Sequence, residues 1–259
     1  MDLQLENKTA LVSGGTAGIG LAIAQELARE GARVVITGRS QEKIEQAREA
    51  IGGRAVGIVA DLTTAAGTEP VFASMPRVDI LVNNLGIYEA KPFVEITDEE
   101  WLHLFQVNVM SGVRLSRHYL PAMLQRNWGR IIFVSSESAV MTPGEMVHYG
   151  MTKSAQLAVA RGMAEATKGT RVTVNTVMPG PTRSEGIIGF LHSMSSNPEA
   201  SDAEAESEFF AKHRASSLLQ RLIDGREIAT MVAYLASPLS SATNGAALRV
   251  EGGLLRSIV

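Results

Sequence analysis

Two side chains four residues apart carry the first chemical signal. Tyr149-Gly-Met-Thr-Lys153 sets a phenol and an amine at i and i+4 of a predicted helix, so both project from one face about one turn apart and can serve a single bound substrate. A free phenol titrates near pH 10, and making phenolate accessible near pH 7 takes roughly 3 pH units, or about 4 kcal/mol, of differential stabilisation. A neighbouring ammonium has the right sign to supply it. Alone, this spacing is ordinarily a surface pair on an amphipathic helix, so its meaning rests on its company. Ser135-Ser136 ends a β-branched run at the carboxyl end of a strand, where ligands approach open parallel sheets; by itself such a serine is more often a cap. The histidines at 103, 118, 148, 192 and 213 show no His-Glu-x-x-His or other ligand spacing, so no metal is expected. His148 adjoins Tyr149 but does not share its helix face, and it reads as a rim or structural residue.

A second cluster lies near the amino terminus. Ser13-Gly-Gly-Thr-Ala-Gly-Ile-Gly20 follows the first predicted strand and opens the first helix. Glycine at 14, 18 and 20 permits a tight turn, lets backbone amides approach a pyrophosphate and allows the helix to pack closely on the sheet. Any tight turn from strand to helix wants glycine, so the loop alone is weak evidence. No Gly-Lys-Ser/Thr follows, which argues against a nucleoside-triphosphatase loop. At the end of the second strand, an Asp or Glu would accept a bond from an adenosine ribose and repel a 2′-phosphate. Gly38-Arg39 stands there instead. A guanidinium gives a phosphate monoester a bidentate partner worth roughly 1.5–3 kcal/mol, so NADP(H) is favoured over NAD(H); the alternative is an ordinary exposed arginine at a helix entry.

The Gly-x-x-x-Gly-x-Gly spacing, Ser136 thirteen residues before Tyr149, the Tyr149–Lys153 pair and Asn83-Asn84-Leu85-Gly86 after the fourth strand together resemble the short-chain dehydrogenase/reductase family, in its 3-oxoacyl reductase-like branch, almost to the end of the chain. The resemblance implies reversible hydride transfer between nicotinamide and a ketone or secondary alcohol. It assigns Tyr149 as general acid/base, Ser136 as the group orienting the substrate oxygen, and Lys153 as tuning the phenol and holding the nicotinamide ribose. Asn108, in Val107-Asn-Val-Met-Ser-Gly112, would hold a water-bearing kink in a proton relay reaching Lys153. Cofactor contacts are implied at Gly14, Thr16, Gly18, Ile19 and Gly20, at the adenine-contacting pair Asp61-Leu62, at Asn84 and Gly86, and at Pro179-Gly180-Pro-Thr182, whose Thr182 hydroxyl would meet the carboxamide. Leu85 replaces the family's alanine. Read without the family, Asp61 is equally a turn or cap residue, Asn108 a polar side chain satisfied by backbone, and Pro-Gly-Pro a turn.

What must position these groups is legible in the hydrophobic pattern. Runs at 10–12, 33–37, 55–59, 80–82, 130–134 and 171–177 are near-continuous rather than alternating, as strands covered on both faces require. Amphipathic segments near 19–30, 41–50, 98–127 and 149–167 separate them, and Thr97-Asp-Glu-Glu100 has the spacing of a reciprocal helix cap. Alternation of strand and helix predicts a single-domain α/β chain over 1–259, a Rossmann-type doubly wound parallel sheet of about seven strands with helices on both faces. Residues 247–250 supply the seventh strand, and a substrate lid is placed at about 183–215. Within it the acidic run 195–208 reads as a mobile surface excursion.

Bulk composition narrows the remaining choices. With 45% apolar residues, 20% charged and a net charge of -3, the chain is globular, without the basic excess that a nucleic-acid partner wants. It has no cysteine, hence neither disulfides nor a thiolate nucleophile. No export signal or membrane span is read, and a cytoplasmic location is expected. Ile187, Ile188, Phe190, Leu191 and Met194, with Met141 and Met146, either line an apolar substrate pocket or pack within helices. Glu137 and Glu145 read as solvated carboxylates, with a substrate-facing role as the alternative. The helix after Tyr149 is small and apolar around much of its circumference at 155–164, as expected if a second copy covers it; a homotetramer is the implied assembly. The rival functions are a catalytically idle nicotinamide-binding sensor or scaffold, and a serine hydrolase, which lacks its Gly-x-Ser-x-Gly elbow.

Overall fold

In the computed structural model, which describes residues 1–52 and 54–258 apart from the Glu185 side chain, all seven predicted runs are strands of one parallel sheet. They are β1 (Thr9–Val12), β2 (Arg33–Gly38), β3 (Val56–Val59), β4 (Ile80–Asn83), β5 (Gly129–Val134), β6 (Val172–Pro179) and β7 (Ala247–Val250), in the spatial order β3-β2-β1-β4-β5-β6-β7. Parallel partners need crossovers, and helices supply them on both faces. Against one face pack α1 (Gly18–Arg29), α2 (Gln41–Ile51) and α9 (Gly225–Ala236), burying Ile23, Leu27, Ala47, Ile228 and Val232 on Val12, Val34, Ile36 and Val82. The other face is covered by α3 (Ala65–Ser74), α5 (Ser111–Gln125) and α6 (Val147–Glu165), with Val71, Leu115, Tyr119 and Ala160 on Leu11, Val35, Leu81 and Phe133. Successive strand residues thus enter opposite cores, and each fully buried Val, Leu or Ile contributes about 1.5–3 kcal/mol.

The sheet order reverses between β1 and β4, where Val12 lies beside Val82. That switch point leaves a crevice at the carboxyl ends of the central strands, the ordinary ligand site of such a sheet.

Three sequence expectations change. The helix read over 98–127 is divided: α4 (Asp98–Phe105), started by the Thr97–Glu100 capping box, runs into a π-turn at Gln106–Met110 before α5 begins. The acidic run 195–208 is not an excursion throughout. Its second half begins α8 (Asp202–His213), opened by a second capping box in which Ser201 accepts from the Glu204 amide and Glu204 reaches back to the Ser201 amide. With α7 (Glu185–Met194), α8 closes a small separate core of Leu191, Ala200, Ala205, Phe209, Phe210 and Leu222. Ile187, Ile188 and Phe190 pack against that core, so packing, the alternative to pocket lining, accounts for them. Among the described residues no helix is long and apolar enough to cross a membrane.

Candidate active site

The glycine loop is held by hydrogen bonds from the neighbouring strand. Asn84 Nδ2 donates to the carbonyls of Ser13 and Gly14 at 3.0 and 3.1 Å, and the Ser13 hydroxyl accepts from the amides of Asn84 and Leu85. Gly14 and Gly18 adopt φ of 64° and 53°, a region that costs other residues strain. A Cβ on Gly20 would run into the Gly14 carbonyl and Asn84 Nδ2, so that position must be bare for helix and loop to meet. Ala17 caps α1 without a side-chain hydrogen bond, so its methyl satisfies none of the first-turn amides, which an anion can then meet. A dinucleotide's pyrophosphate fits this cradle.

Arg39 is exposed just past β2, on the same side as Asp61, whose charge it helps to hold. Asp61 itself accepts from the Thr63 hydroxyl and amide at 2.8 and 3.1 Å, which together keep its carboxyl below the usual range. The turn role that the sequence left open for Asp61 is therefore present. Leu62 is buried, Thr16 and Ile19 are half-buried in the loop, and Pro179 and Gly180 are buried at the end of β6. Thr182 donates to the Gly180 carbonyl at 2.8 Å and bridges to Ile223.

Ser136, Tyr149 and Lys153 come together beside this cradle. Ser136 follows β5; Tyr149 and Lys153 stand one turn apart on α6. Lys153 Nζ donates to the Val134 carbonyl at 3.1 Å, and Ser135 Oγ ties the Lys153 carbonyl to the same strand end at 2.8 Å. A Cβ on Gly86 would sit 3.3 Å from Lys153 Nζ and 3.5 Å from Asn108 Oδ1, so Gly86 leaves these two groups a shared space. Asn108, in the π-turn, is wholly buried: its Oδ1 accepts from the Ile87 amide at 2.8 Å, and its Nδ2 donates to the Ile87 carbonyl and the Thr152 hydroxyl, both at 2.9 Å. Within this π-turn the Asn108 backbone carbonyl accepts from Gln156 Nε2 at 2.6 Å. The side chain thus pins the 86–87 loop against α6.

Burial sets the electrostatics. It pushes the Tyr149 phenol up from its ordinary value, with repulsion from Glu137 adding and a Ser136 hydrogen bond opposing. It pulls the Lys153 ammonium down to about 8, against the favourable field of Glu137. Both shifts penalise the charged form, so the phenol holds its proton.

Glu137 is a correction to the sequence reading. It is 5% exposed, not solvated, and its Oε2 accepts a hydrogen bond from the Ser136 hydroxyl at 2.5 Å. Burial pushes its carboxyl up, opposed by Ser136 and by Arg214. Arg214, just past α8 and 7% exposed, reaches in with Nε 3.7 Å from Glu137 Oε1 and Nη1 3.7 Å from Glu145. Sequence reasoning missed Arg214, and it missed Tyr88, whose ring meets those of Tyr149 and Phe190 edge-on at 6.1 and 6.0 Å. Neither sits in a local motif that would signal it. His148 is fully buried edge-on to Trp101, with both ring nitrogens lacking hydrogen-bond partners and burial pulling its pKa down; it is structural.

A seven-stranded parallel sheet with a glycine cradle at its switch point and a Ser-Tyr-Lys cluster beside it defines a single-domain Rossmann-type α/β protein. The sequence model of the short chain dehydrogenase family matches residues 8–189, and the chain belongs to that family of oxidoreductases. It is 49% identical to the oxidoreductase YvaG of Bacillus subtilis (strain 168), over all of both chains. Identity to the 3-oxoacyl-[acyl-carrier-protein] reductase FabG of Vibrio cholerae is 34%, over 97% of this chain and 99% of that one. Among solved structures, the L-sorbose reductase of Gluconobacter frateurii complexed with NADPH and L-sorbose matches all of both chains with a TM-score of 0.92 at 28% identity.

Proposed function

We propose that the chain is an NADP(H)-dependent oxidoreductase interconverting a ketone and a secondary alcohol, with Tyr149 as the general acid/base. The observation that carries this reading is the convergence of Ser136, Tyr149 and Lys153 next to the cradle. NADPH in a related reductase, and the vacant acid position beside Arg39, support the choice of coenzyme.

When bound, the nicotinamide supplies or takes up the hydride. In the reducing direction Ser136 turns its hydroxyl to the carbonyl oxygen, aligning it and stabilising the charge that develops there. Tyr149 Oη delivers the proton to that oxygen. Lys153 sets the phenol's acidity by its charge and holds the nicotinamide ribose, while Asn108 keeps the 86–87 loop in register and supports proton resupply to Lys153. Thr182 meets the carboxamide, with Gly14, Thr16, Gly18, Ile19, Gly20, Asp61, Leu62, Asn84, Gly86, Pro179 and Gly180 completing the dinucleotide site. Residues 183–215 act as the substrate lid. The exposed side of α6, with Arg161 and Gly162 open, suits a homotetramer, and the cytoplasm is the proposed compartment.

A ketone panel followed by nicotinamide absorbance tests the reading with wild type and Tyr149→Phe. Turnover by the wild type, lost by about a hundredfold or more in the variant at unchanged NADPH affinity, is expected. Equal turnover by the two proteins refutes the role of Tyr149; NADPH binding with turnover on no ketone marks a sensor.

A further inference from the structure

Tyr88 stands between Tyr149 and α7. Its ring meets Tyr149 edge-on at 6.1 Å and Phe190 of α7 edge-on at 6.0 Å, separations at which aromatic rings touch, so no substituent fits between Tyr88 and either neighbour. The ring is also fixed from behind. Asn108 holds the amide and the carbonyl of Ile87, the preceding residue, at 2.8 and 2.9 Å. At its far end the phenol lies against α7, where a Cβ on Gly186 would stand 3.0 Å from the hydroxyl oxygen. Gly186 and Phe190 are four residues apart and share the helix face that Tyr88 meets. Tyr88 nevertheless keeps 41% of its surface exposed, so a bound molecule can reach the ring itself.

Resting on the ketone reductase reading, we infer that Tyr88 is a specificity-determining residue, which admits only the smaller arm of an unsymmetrical ketone on its side of Tyr149 and so sets the handedness of the alcohol formed. The reaction is the balanced one already stated: hydride from reduced nicotinamide to the carbonyl carbon, and a proton from Tyr149 to its oxygen. With that oxygen held at Ser136 and Tyr149 and the hydride arriving from one side, the ketone binds in two orientations that differ in which arm points at Tyr88. Each orientation gives one enantiomer. A long arm directed at Tyr88 meets a ring that its neighbours and the anchored Ile87 backbone keep from swinging aside, and forcing extra methylenes against a packed wall is unfavourable. A methyl directed there fits. The substrate class is a ketone with one short arm and one long one.

Reduction of 2-octanone under saturating NADPH, with the two 2-octanol enantiomers resolved by chiral chromatography, tests the assignment on a single substrate. One methylene more or less in a fitted pocket is worth about ten- to two-hundredfold, so the wild type is expected to form one enantiomer at least about tenfold over the other. Tyr88→Ala should bring that ratio toward one, and Tyr88→Phe, which keeps the ring, should retain it. NADPH fluorescence reports that each variant is folded, and a general loss of stability would lower both enantiomers alike. A near-equal mixture from the wild type, a ratio unmoved in Tyr88→Ala, or a ratio lost equally in Tyr88→Phe overturns the inference alone, as does turnover of other ketones with none of 2-octanone. Turnover on no ketone at all, with NADPH bound, overturns the reductase reading beneath it.

Discussion

Lys153 Nζ lies 5.5 Å from the centre of the Tyr149 ring while donating to the Val134 carbonyl at 3.1 Å. Burial moves the two groups in opposite directions, the phenol upward and the ammonium down to about 8. In the proposed mechanism, reduction needs a proton on Tyr149 and a charge on Lys153. Below about pH 8 both are in place; as pH rises through that value the lysine discharges first, and the phenol keeps its proton. With saturating NADPH, kcat/KM for ketone reduction should therefore fall above about pH 8, approaching tenfold per pH unit. A profile flat to about pH 10 would remove the lysine's charge from the chemistry.

In the proposed reading, coenzyme choice turns on one side chain. Arg39 is exposed at the end of β2, and no acidic residue follows that strand before α2. Loss of a bidentate phosphate contact of roughly 1.5–3 kcal/mol predicts that Arg39→Ala weakens NADPH binding by about ten- to a hundredfold and leaves NADH binding within about twofold. Titration of both reduced coenzymes by fluorescence measures it. An NADPH preference that survives the substitution assigns the phosphate to another group.

Gly20 tests the cradle without touching the catalytic cluster. A methyl at this position would strike the Gly14 carbonyl and the Asn84 amide that tether the loop to β4. Overpacking against backbone costs about 1–3 kcal/mol. Gly20→Ala should weaken both NADPH and NADH by about tenfold or more, in contrast to the selective effect at Arg39. Unaltered affinity for both would place the dinucleotide elsewhere.

The contrast between two capping boxes shows what the sequence could and could not disclose. Thr97–Glu100 was readable because an amphipathic helix follows it; Ser201–Glu204 has the same spacing, but the acidic residues around it read as solvated coil. The sheet was legible because strands buried on both faces must be continuously apolar, and the Tyr149–Lys153 pair because helical period fixes which side chains share a face. α3 carries Pro70 and almost no one-sided apolar pattern, so it gave no such signal. Glu137 reads as exposed because its charged neighbour Arg214 is brought in past α8 from far along the chain. No local period encodes that meeting.

The second capping box yields the last prediction. Ser201 satisfies the Glu204 amide, and Glu204 satisfies the Ser201 amide and hydroxyl. Removing the hydroxyl costs about 1 kcal/mol of helix stability. α8 packs on α7 through the small core around Phe209 and Phe210, separate from the two cores that flank the sheet, so the cost should fall on local opening, not on global unfolding. In Ser201→Ala, amide exchange across 202–213 should quicken about fivefold, with β4 and β5 unchanged. The KM for ketone should rise while NADPH affinity holds, because Arg214 enters the site at the end of this helix. Exchange that quickens equally in the sheet would show that α7 and α8 melt only with the whole domain, and a fixed KM would detach α8 from substrate binding.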